Sequence, residues 1–390
     1  MRIVVCPDSF KGSLTSVEAA DAIERGLLRN SAFSDAEIVK APLADGGEGT
    51  VDALVRATGG EIRHARALDP LLREIDSFFG LMFRGFGFIE PDRNAQARDP
   101  ETSDGHTAVV EMAAASGLCL LSESERNALV TSTFGTGQLI SAALDSGASK
   151  IIVGIGGSAT NDGGAGAMAA LGVRFFDSDG RELPPGGAAL VNLDRIDVSG
   201  FRFPVGKIPV EVACDVVNPL TGPNGASAVY GPQKGATPEM VRILDSALEN
   251  YARVIMRDLG KDILDLPGGG AAGGLGAGLV AFLKAQLHSG IEMILDAIGL
   301  DDIIANADLI ITGEGRLDEQ TAHGKTIAGI LKRAKGVPVI AIAGSISGQI
   351  AGLAAAYSLT NETVTPEHAI AHAAKLLEFV TYKELAWPVS

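Results

Sequence analysis

Short continuous apolar runs that stop at glycine- and carboxylate-rich loops constrain this chain more than any other feature. Residues 3–6 are wholly apolar and give way at once to Pro7 and Asp8. A run that brief, without alternation, suits a strand buried on both faces, as in a parallel sheet covered by helices. A second strand fits 37–41, and short apolar strands return near the carboxyl end at 307–312, 338–343 and 355–360. Helical spacing fills the gaps. Val17, Ala20, Ile23 and Leu27 recur on one face of 16–29, and Thr15 with Glu18 spells a capping box at its start. A second helix follows Glu48 and stops at Gly59 and Gly60, and others fit 326–335 and 366–382. Two strands plus three strands predict an α/β fold, a flavodoxin-like doubly wound parallel sheet in the order 2-1-3-4-5.

About 220 residues separate the two halves of that sheet, enough for a second, larger mixed α/β domain interrupting the first. The expected division is a discontinuous flavodoxin-like domain of residues 1–64 and 286–390 around an inserted domain of 65–285, with the active site in the cleft between them. Within the insert, 62–67, 78–89, 107–111, 150–155 and 210–214 suit strands, whereas 136–146 and 238–259 suit helices. Two glycine-spaced helices are expected between Gly270 and Leu300. The charged stretch 92–105 reads as a loop, and the role of 79–105 is not encoded by any spacing.

Composition narrows the ligands. Thirty-two basic against 48 acidic residues leave a net charge of −16, so the overall field repels nucleic acid and anionic membranes. Cys6, Cys119 and Cys214 are too few for a disulfide framework. No apolar stretch reaches the ~18 residues of a membrane helix, and the first six residues are too short for a signal peptide. A cytoplasmic enzyme acting on a small molecule is expected. Glycine is in excess, at 49 of 390 residues, or about 13% against an average near 7%.

Those glycines gather where strands end, which is where ligands bind in an open parallel sheet. After the first strand come Asp8, Ser9, Lys11 and Ser13; after the second, Asp45, Gly46, Gly47 and Glu48; after the third, Glu314, Gly315, Arg316 and Asp318. In the insert, the strand ending near Ile155 leads into Gly156, Gly157, Ser158, Thr160, Asn161 and Asp162, the sequence of an anion cradle running into a helix. Glycine admits backbone amides to phosphate, hydroxyls add donors, and carboxylates hold Mg²⁺ or accept a proton, so the combination points to phosphoryl transfer. Lys11, Lys234, Arg316 and Lys325 are the cations within such loops. Gly273 and Gly274, in the run 268–278, fit either a phosphate contact or close helix packing.

Single signatures are weaker. Gly324, Lys325 and Thr326 end like a Walker A loop, but Glu319 occupies the position of its first glycine. Gly154, Gly156 and Ala159 match the GxGxxA of dinucleotide binding, with Asp177 and Asp179 near the distance of a ribose carboxylate. His368 and His372 lack the intervening Glu of a zinc-protease helix and read as a surface pair, and His323 reads as a loop residue.

Six segments in order, Asp8-Ser-Phe-Lys-Gly-Ser13, Ala44-Asp-Gly-Gly-Glu-Gly-Thr50, Gly156-Gly-Ser-Ala-Thr-Asn-Asp-Gly-Gly164, Gly231-Pro-Gln-Lys-Gly-Ala236, Gly270-Ala-Ala-Gly-Gly-Leu-Gly276 and Thr312-Gly-Glu-Gly-Arg-Leu-Asp318, resemble the bacterial glycerate kinase family. Val110-Glu-Met-Ala-Ala-Ala-Ser-Gly-Leu118 and Cys214-Asp-Val-Val-Asn-Pro-Leu220 extend the resemblance, which spans nearly the whole chain. Residues 79–105 are longer than the family's usual hairpin, and Tyr230 stands where phenylalanine is expected.

The resemblance implies an ATP- and Mg²⁺-dependent kinase of D-glycerate, usually acting at the 2-hydroxyl, with 3-phosphoglycerate as the alternative product. On that basis Lys11 and Arg316 are assigned to substrate carboxylate or phosphate oxygens, Asp45 and Asp162 to general base, and Asp8, Asp215 and Glu314 to Mg²⁺ through its water shell. A homo-oligomer is compatible with the sequence. Two remoter readings are a nicotinamide-dependent oxidoreductase and a two-lobed small-molecule sensor. The first leaves the outer loops unexplained, and the second leaves the strand-end carboxylates without a task.

Overall fold

The computed structural model describes residues 1–10, 12–44, 46–47, 49–83, 105–317, 326–348 and 351–387. Along the chain, β1 (Arg2–Val5) and β2 (Glu37–Lys40) come first, followed by β3 (Glu61–Leu68), β4 (Glu74–Phe83), β5 (His106–Glu111) and β6 (Ala148–Gly154). Then come β7 (Arg174–Phe176), β8 (Arg195–Asp197), β9 (Val210–Ala213) and β10 (Gln286–His288), and last β11 (Leu309–Leu317), β12 (Val339–Ile346) and β13 (Ala355–Ser358).

Five of these strands form an all-parallel sheet ordered β13-β12-β11-β1-β2, the doubly wound order the outer apolar runs predict. A second sheet is ordered β10-β9-β6-β5-β4-β3, parallel from β10 to β5 and antiparallel at β4 and β3. β3 as a whole and β10 belong to this second sheet. A two-stranded ribbon of β7 and β8 completes the described sheets.

The apolar runs are buried on both sides as parallel strands must be. Ile3, Val4, Val5, Ile310 and Ile311 have no exposed surface. One face of the sheet packs Ile3, Val5 and Ile311 against Ile23, Leu27 and Leu377 of helices Ser16–Arg29 and Ala373–Lys383. The other packs Val4 and Ile310 into a core shared with Leu54 of helix Thr50–Thr58, Ile294 of helix Gly290–Ala297, and Val109, Ile152 and Ala213 of the second sheet. These two helices therefore join the sheets through one apolar core. Each buried leucine or isoleucine contributes roughly 1.5–3 kcal/mol relative to exposure.

Local signals hold where several agree. Helix Ser16–Arg29 has the expected bounds, and Thr15 Oγ1 accepts from the Glu18 amide at 3.2 Å while Glu18 accepts from the Thr15 amide at 2.9 Å. Helix Pro238–Leu259 also has the expected bounds, capped by Thr237 and ended by Gly260 in the left-handed conformation. The helix expected over 366–382 is instead two, Pro366–Ala371 and Ala373–Lys383, because His372 leaves helical geometry at φ −128°. β7, β8 and β10 carry three residues each, too few to display a period. The far part of the expected strand 78–89 and the loop 92–104 lie outside the described residues, whereas β4 begins earlier, at Glu74.

Candidate active site

The carboxyl ends of β2 in the first sheet and β6 in the second meet. The Gly46 carbonyl, after β2, accepts from the amide of Gly156, after β6, at 3.2 Å. Gly46 has φ +87°, and a Cβ there would stand 2.6 Å from that of Ala213 at the end of β9. A Cβ on Gly156 would stand 2.6 Å from the Gly47 Cα. Both positions need glycine because two strand-end loops touch backbone to backbone. The GxGxxA pattern thereby has a packing reason, since its second glycine faces the Gly46–Gly47 backbone.

Glu111, which sequence reasoning passed over as a site element, reinforces this junction. It ends β5, is 2% exposed, and accepts from the amides of Gly49 at 3.2 Å and Val51 at 2.5 Å. A buried carboxylate on the first turn of a helix is favourable for its dipole and its free amides. The available signal was its place directly after an apolar strand.

Between β1 and β11, where the strand order reverses, lies a cleft of about 720 Å³. Asp8, Ser9 and Ser13 reach it from the β1 loop, Glu314, Gly315 and Arg316 from β11, and Asp215 from the loop after β9. The Asp8 amide donates to the Gly313 carbonyl at 2.8 Å, holding the two strand ends together. Asp8 is 6% exposed; its Oδ1 accepts from the Ser9 amide and its Oδ2 from Thr326 Oγ1, both at 2.6 Å. Thr326 opens helix Thr326–Arg333 and was visible in the sequence only as the end of a failed Walker pattern. Asp215 accepts from Ser289 Oγ at 3.0 Å and the Gly290 amide at 2.8 Å, which fixes its carboxylate at the edge of the second sheet. Arg316 is exposed within the cleft.

Three acidic groups and one guanidinium thus face a common space, an arrangement that receives an anionic ligand together with a hydrated cation. Among the described residues no three His, Cys, Asp or Glu side chains are set to hold a metal directly. That donor set fits Mg²⁺ kept largely in water and phosphate oxygens. Lys11, Asp45, Glu48, Asp318, His323 and Lys325 lie outside the described residues.

The loop after β6 has a different character. Gly157, Ser158, Thr160, Asn161 and Asp162 are not among the residues that line the cleft. Asp162 is 1% exposed, and its carboxylate accepts from the Thr133 amide (2.8 Å), Thr133 Oγ1 (2.9 Å) and the amides of Gly164 and Gly166 (both 3.2 Å). Burial pushes this carboxyl up and the four donors offset part of the rise. The expected anion cradle is already filled, by the chain's own aspartate. Asn161 Nδ2 donates to Ser227 Oγ at 3.0 Å.

Lys234 is also internal, 1% exposed, with Nζ donating to the Thr160 carbonyl at 2.7 Å. The Gly273 carbonyl accepts from the Gly163 amide at 2.9 Å, and Gly274 packs on the Gly163 backbone. Close packing, rather than a contact in the cleft, accounts for both glycines. Burial lowers the Lys234 ammonium to about 7, against the raising influence of Asp162. Its ordinary value is 10.5. In the unfolded chain the proton stays on above pH 7, so the native state binds fewer protons there and gains stability as pH rises. Thermal unfolding is therefore expected to favour the wild type over Lys234→Met progressively from about pH 7 to pH 10; a difference independent of pH would refute this.

Comparison with known proteins agrees with the geometry. The chain matches the model of the Glycerate kinase family over residues 3–387. It is 50% identical over 385 residues to a glycerate kinase of Bacillus subtilis strain 168, covering 97% of this chain and 95% of that one. A glycerate 2-kinase of Escherichia coli K12 is 48% identical over 352 residues, 90% of this chain and 87% of that one. A crystal structure of a Salmonella typhimurium LT2 protein, provisionally described as glycerate kinase 2, superposes with a TM-score of 0.82 at 49% identity, covering 98% of this chain and 96% of that one. With matching sequence from end to end, matching architecture, and carboxylates and an arginine converging at the switch point of a doubly wound sheet, this chain is a kinase that belongs to the glycerate kinase family.

Proposed function

We propose that the enzyme transfers the γ-phosphoryl group of ATP to D-glycerate, giving 2-phospho-D-glycerate and ADP. The observation that carries this reading is the convergence of Asp8, Asp215, Glu314 and Arg316 on one cleft. Phosphoryl transfer asks mainly for positioning and neutralisation of charge.

In this reading Asp45 accepts the proton of the glycerate 2-hydroxyl. That oxygen forms the new bond to the γ-phosphorus while the bond from phosphorus to the β–γ bridging oxygen breaks, and ADP leaves. Arg316 and Lys11 hold carboxylate or phosphoryl oxygens, and Ser9, Ser13, Gly46, Gly47, Gly315 and Lys325 supply further donors around them. Asp8, Asp215 and Glu314 would hold Mg²⁺ through its water shell, and the ion neutralises charge on the phosphate oxygens when bound. Asp162 and Lys234 serve by fixing the loop behind the site, through the Thr133 amide and the Thr160 carbonyl, whereas Thr160 Oγ1 and Asn161 Oδ1 are buried without a hydrogen-bond partner among the described residues. The lobe of the all-parallel sheet and the lobe of the second sheet, which takes the whole of β3 and β10, act as two halves whose approach excludes water, since hydrolysis of ATP would compete with transfer.

A cytoplasmic setting belongs to the same proposal. It is supported by three cysteines that form no disulfide, and among the described residues no helix is long and apolar enough to cross a membrane.

The test is ADP release by the purified protein with Mg²⁺, ATP and D-glycerate, followed by phosphorus NMR of the product. Glycerate-dependent release with the phosphoryl group on C2 is expected. A product bearing it on C3 would overturn the regiochemistry, and release no faster than without glycerate would overturn the substrate.

A further inference from the structure

The cleft is chemically divided along its length. Its charged lining comes from the ends of β1, β11 and β9, whereas the end beside β12 and β13 is lined by Phe10, Leu359, Thr360, Ser345 and the start of the helix after β13, without an ionisable side chain. On that helix Pro366, Ala369 and Ile370 line the cleft, at the i, i+3, i+4 spacing of one helical face, and Ala373, the first residue of the next helix, lines it beside them. The face is uneven. Ala369 and Ala373 are 5% and 4% exposed, but Ile370 is 54% exposed, an aliphatic side chain left open beside a core into which Phe10, Leu359 and Ala369 are packed. Small residues on either side of an open branched one leave a shallow apolar wall, a surface that accepts a flat ring. Ser345 and Thr360 stand at its edge, and the Thr360 hydroxyl lies 3.1 Å from that of Ser358, so either can donate.

About 720 Å³ is far more than a three-carbon acid fills, and lies within the usual range for sites that take larger ligands. A ligand matching both ends has a neutral planar ring joined to an anionic tail. Resting on the phosphoryl-transfer reading above, we propose that the wall of Phe10, Leu359, Ala369 and Ile370, edged by Ser345 and Thr360, seats the nucleobase of the phosphoryl donor, with the phosphates running toward Asp8 and Arg316.

The test is calorimetric titration of ADP, and separately of inorganic triphosphate, into the full-length wild type, Ile370→Asp and Ile370→Ala, alongside steady-state kinetics. Ile370 is more than half exposed, so neither substitution opens the core, and the alanine variant keeps the test available should the aspartate variant fold poorly. ADP affinity is expected to fall at least about tenfold in Ile370→Asp and several-fold in Ile370→Ala, with inorganic triphosphate bound as by the wild type. KM for ATP should rise in parallel while KM for D-glycerate stays within about twofold. Unchanged ADP affinity in both variants would overturn the base seat. So would equal losses for ADP and inorganic triphosphate, or a wild type that binds no ADP. Wild-type binding of ADP that Ile370→Asp abolishes, without any glycerate-dependent turnover, would leave the base seat standing and remove only the glycerate assignment.

Discussion

Arg316→Ala is expected to lower kcat/KM for glycerate phosphorylation by about 10²–10³-fold, the range for removing one preorganised donor from developing charge. Its side chain is exposed within the cleft, and its backbone stays in register with Ser345 of β12, so the substitution removes a cation without disturbing the sheet. The melting temperature should therefore stay close to that of the wild type. Lysine at this position should recover only part of the activity, because an ammonium cannot reproduce a bidentate guanidinium. Near-normal turnover in Arg316→Ala would place phosphoryl charge elsewhere. Asp45→Ala, run beside it, should lose about 10²–10⁴-fold in kcat, as expected for loss of a general base. Retention of activity there would move the base away from Asp45.

Asp162→Ala is expected to act through the fold. It leaves the amides of Thr133, Gly164 and Gly166 and the Thr133 hydroxyl without their acceptor in a fully buried place. Thr133 Oγ1 also accepts from the Ala167 amide at 2.9 Å, so the loss spreads along the start of helix Ala165–Ala170. Orphaned buried donors of this kind cost about 3–5 kcal/mol together, a fall in melting temperature of roughly 10 °C for a domain of this size. A variant that melts like the wild type but has lost turnover would return Asp162 to the chemistry.

Legibility in the sequence followed the range of the interactions. The outer sheet was legible because its central strands β1, β11 and β12 carry apolar runs buried on both faces, and Thr15 with Glu18 set a helix start within four residues. Strand-end loops could be found as places where apolar runs stop at Asp8, Gly46 and Glu314. Their division of labour could not. Asp8 and Asp162 both follow buried strands and both look like reactive carboxylates, yet one lines the cleft and the other is sealed by four donors from residues 133–166. Gly154 and Gly156 spell a dinucleotide fingerprint, but their reason for being glycine is the backbone of Gly46 and Gly47, over a hundred residues earlier. Lys234 reads as a loop cation and proves to be an internal clamp on the Thr160 carbonyl.

The apolar end of the cleft was invisible in sequence because Phe10, Leu359 and Ile370 come from three distant segments, each of which reads as ordinary core. By itself the sequence determined the strands of the outer sheet, how that sheet is wound and the family to which the chain belongs, since these depend on local periodicity and on motif order. Only the tertiary structure decided which polar groups face the ligand and which face inward, because burial and hydrogen bonding of a side chain are set by segments far from it in the chain.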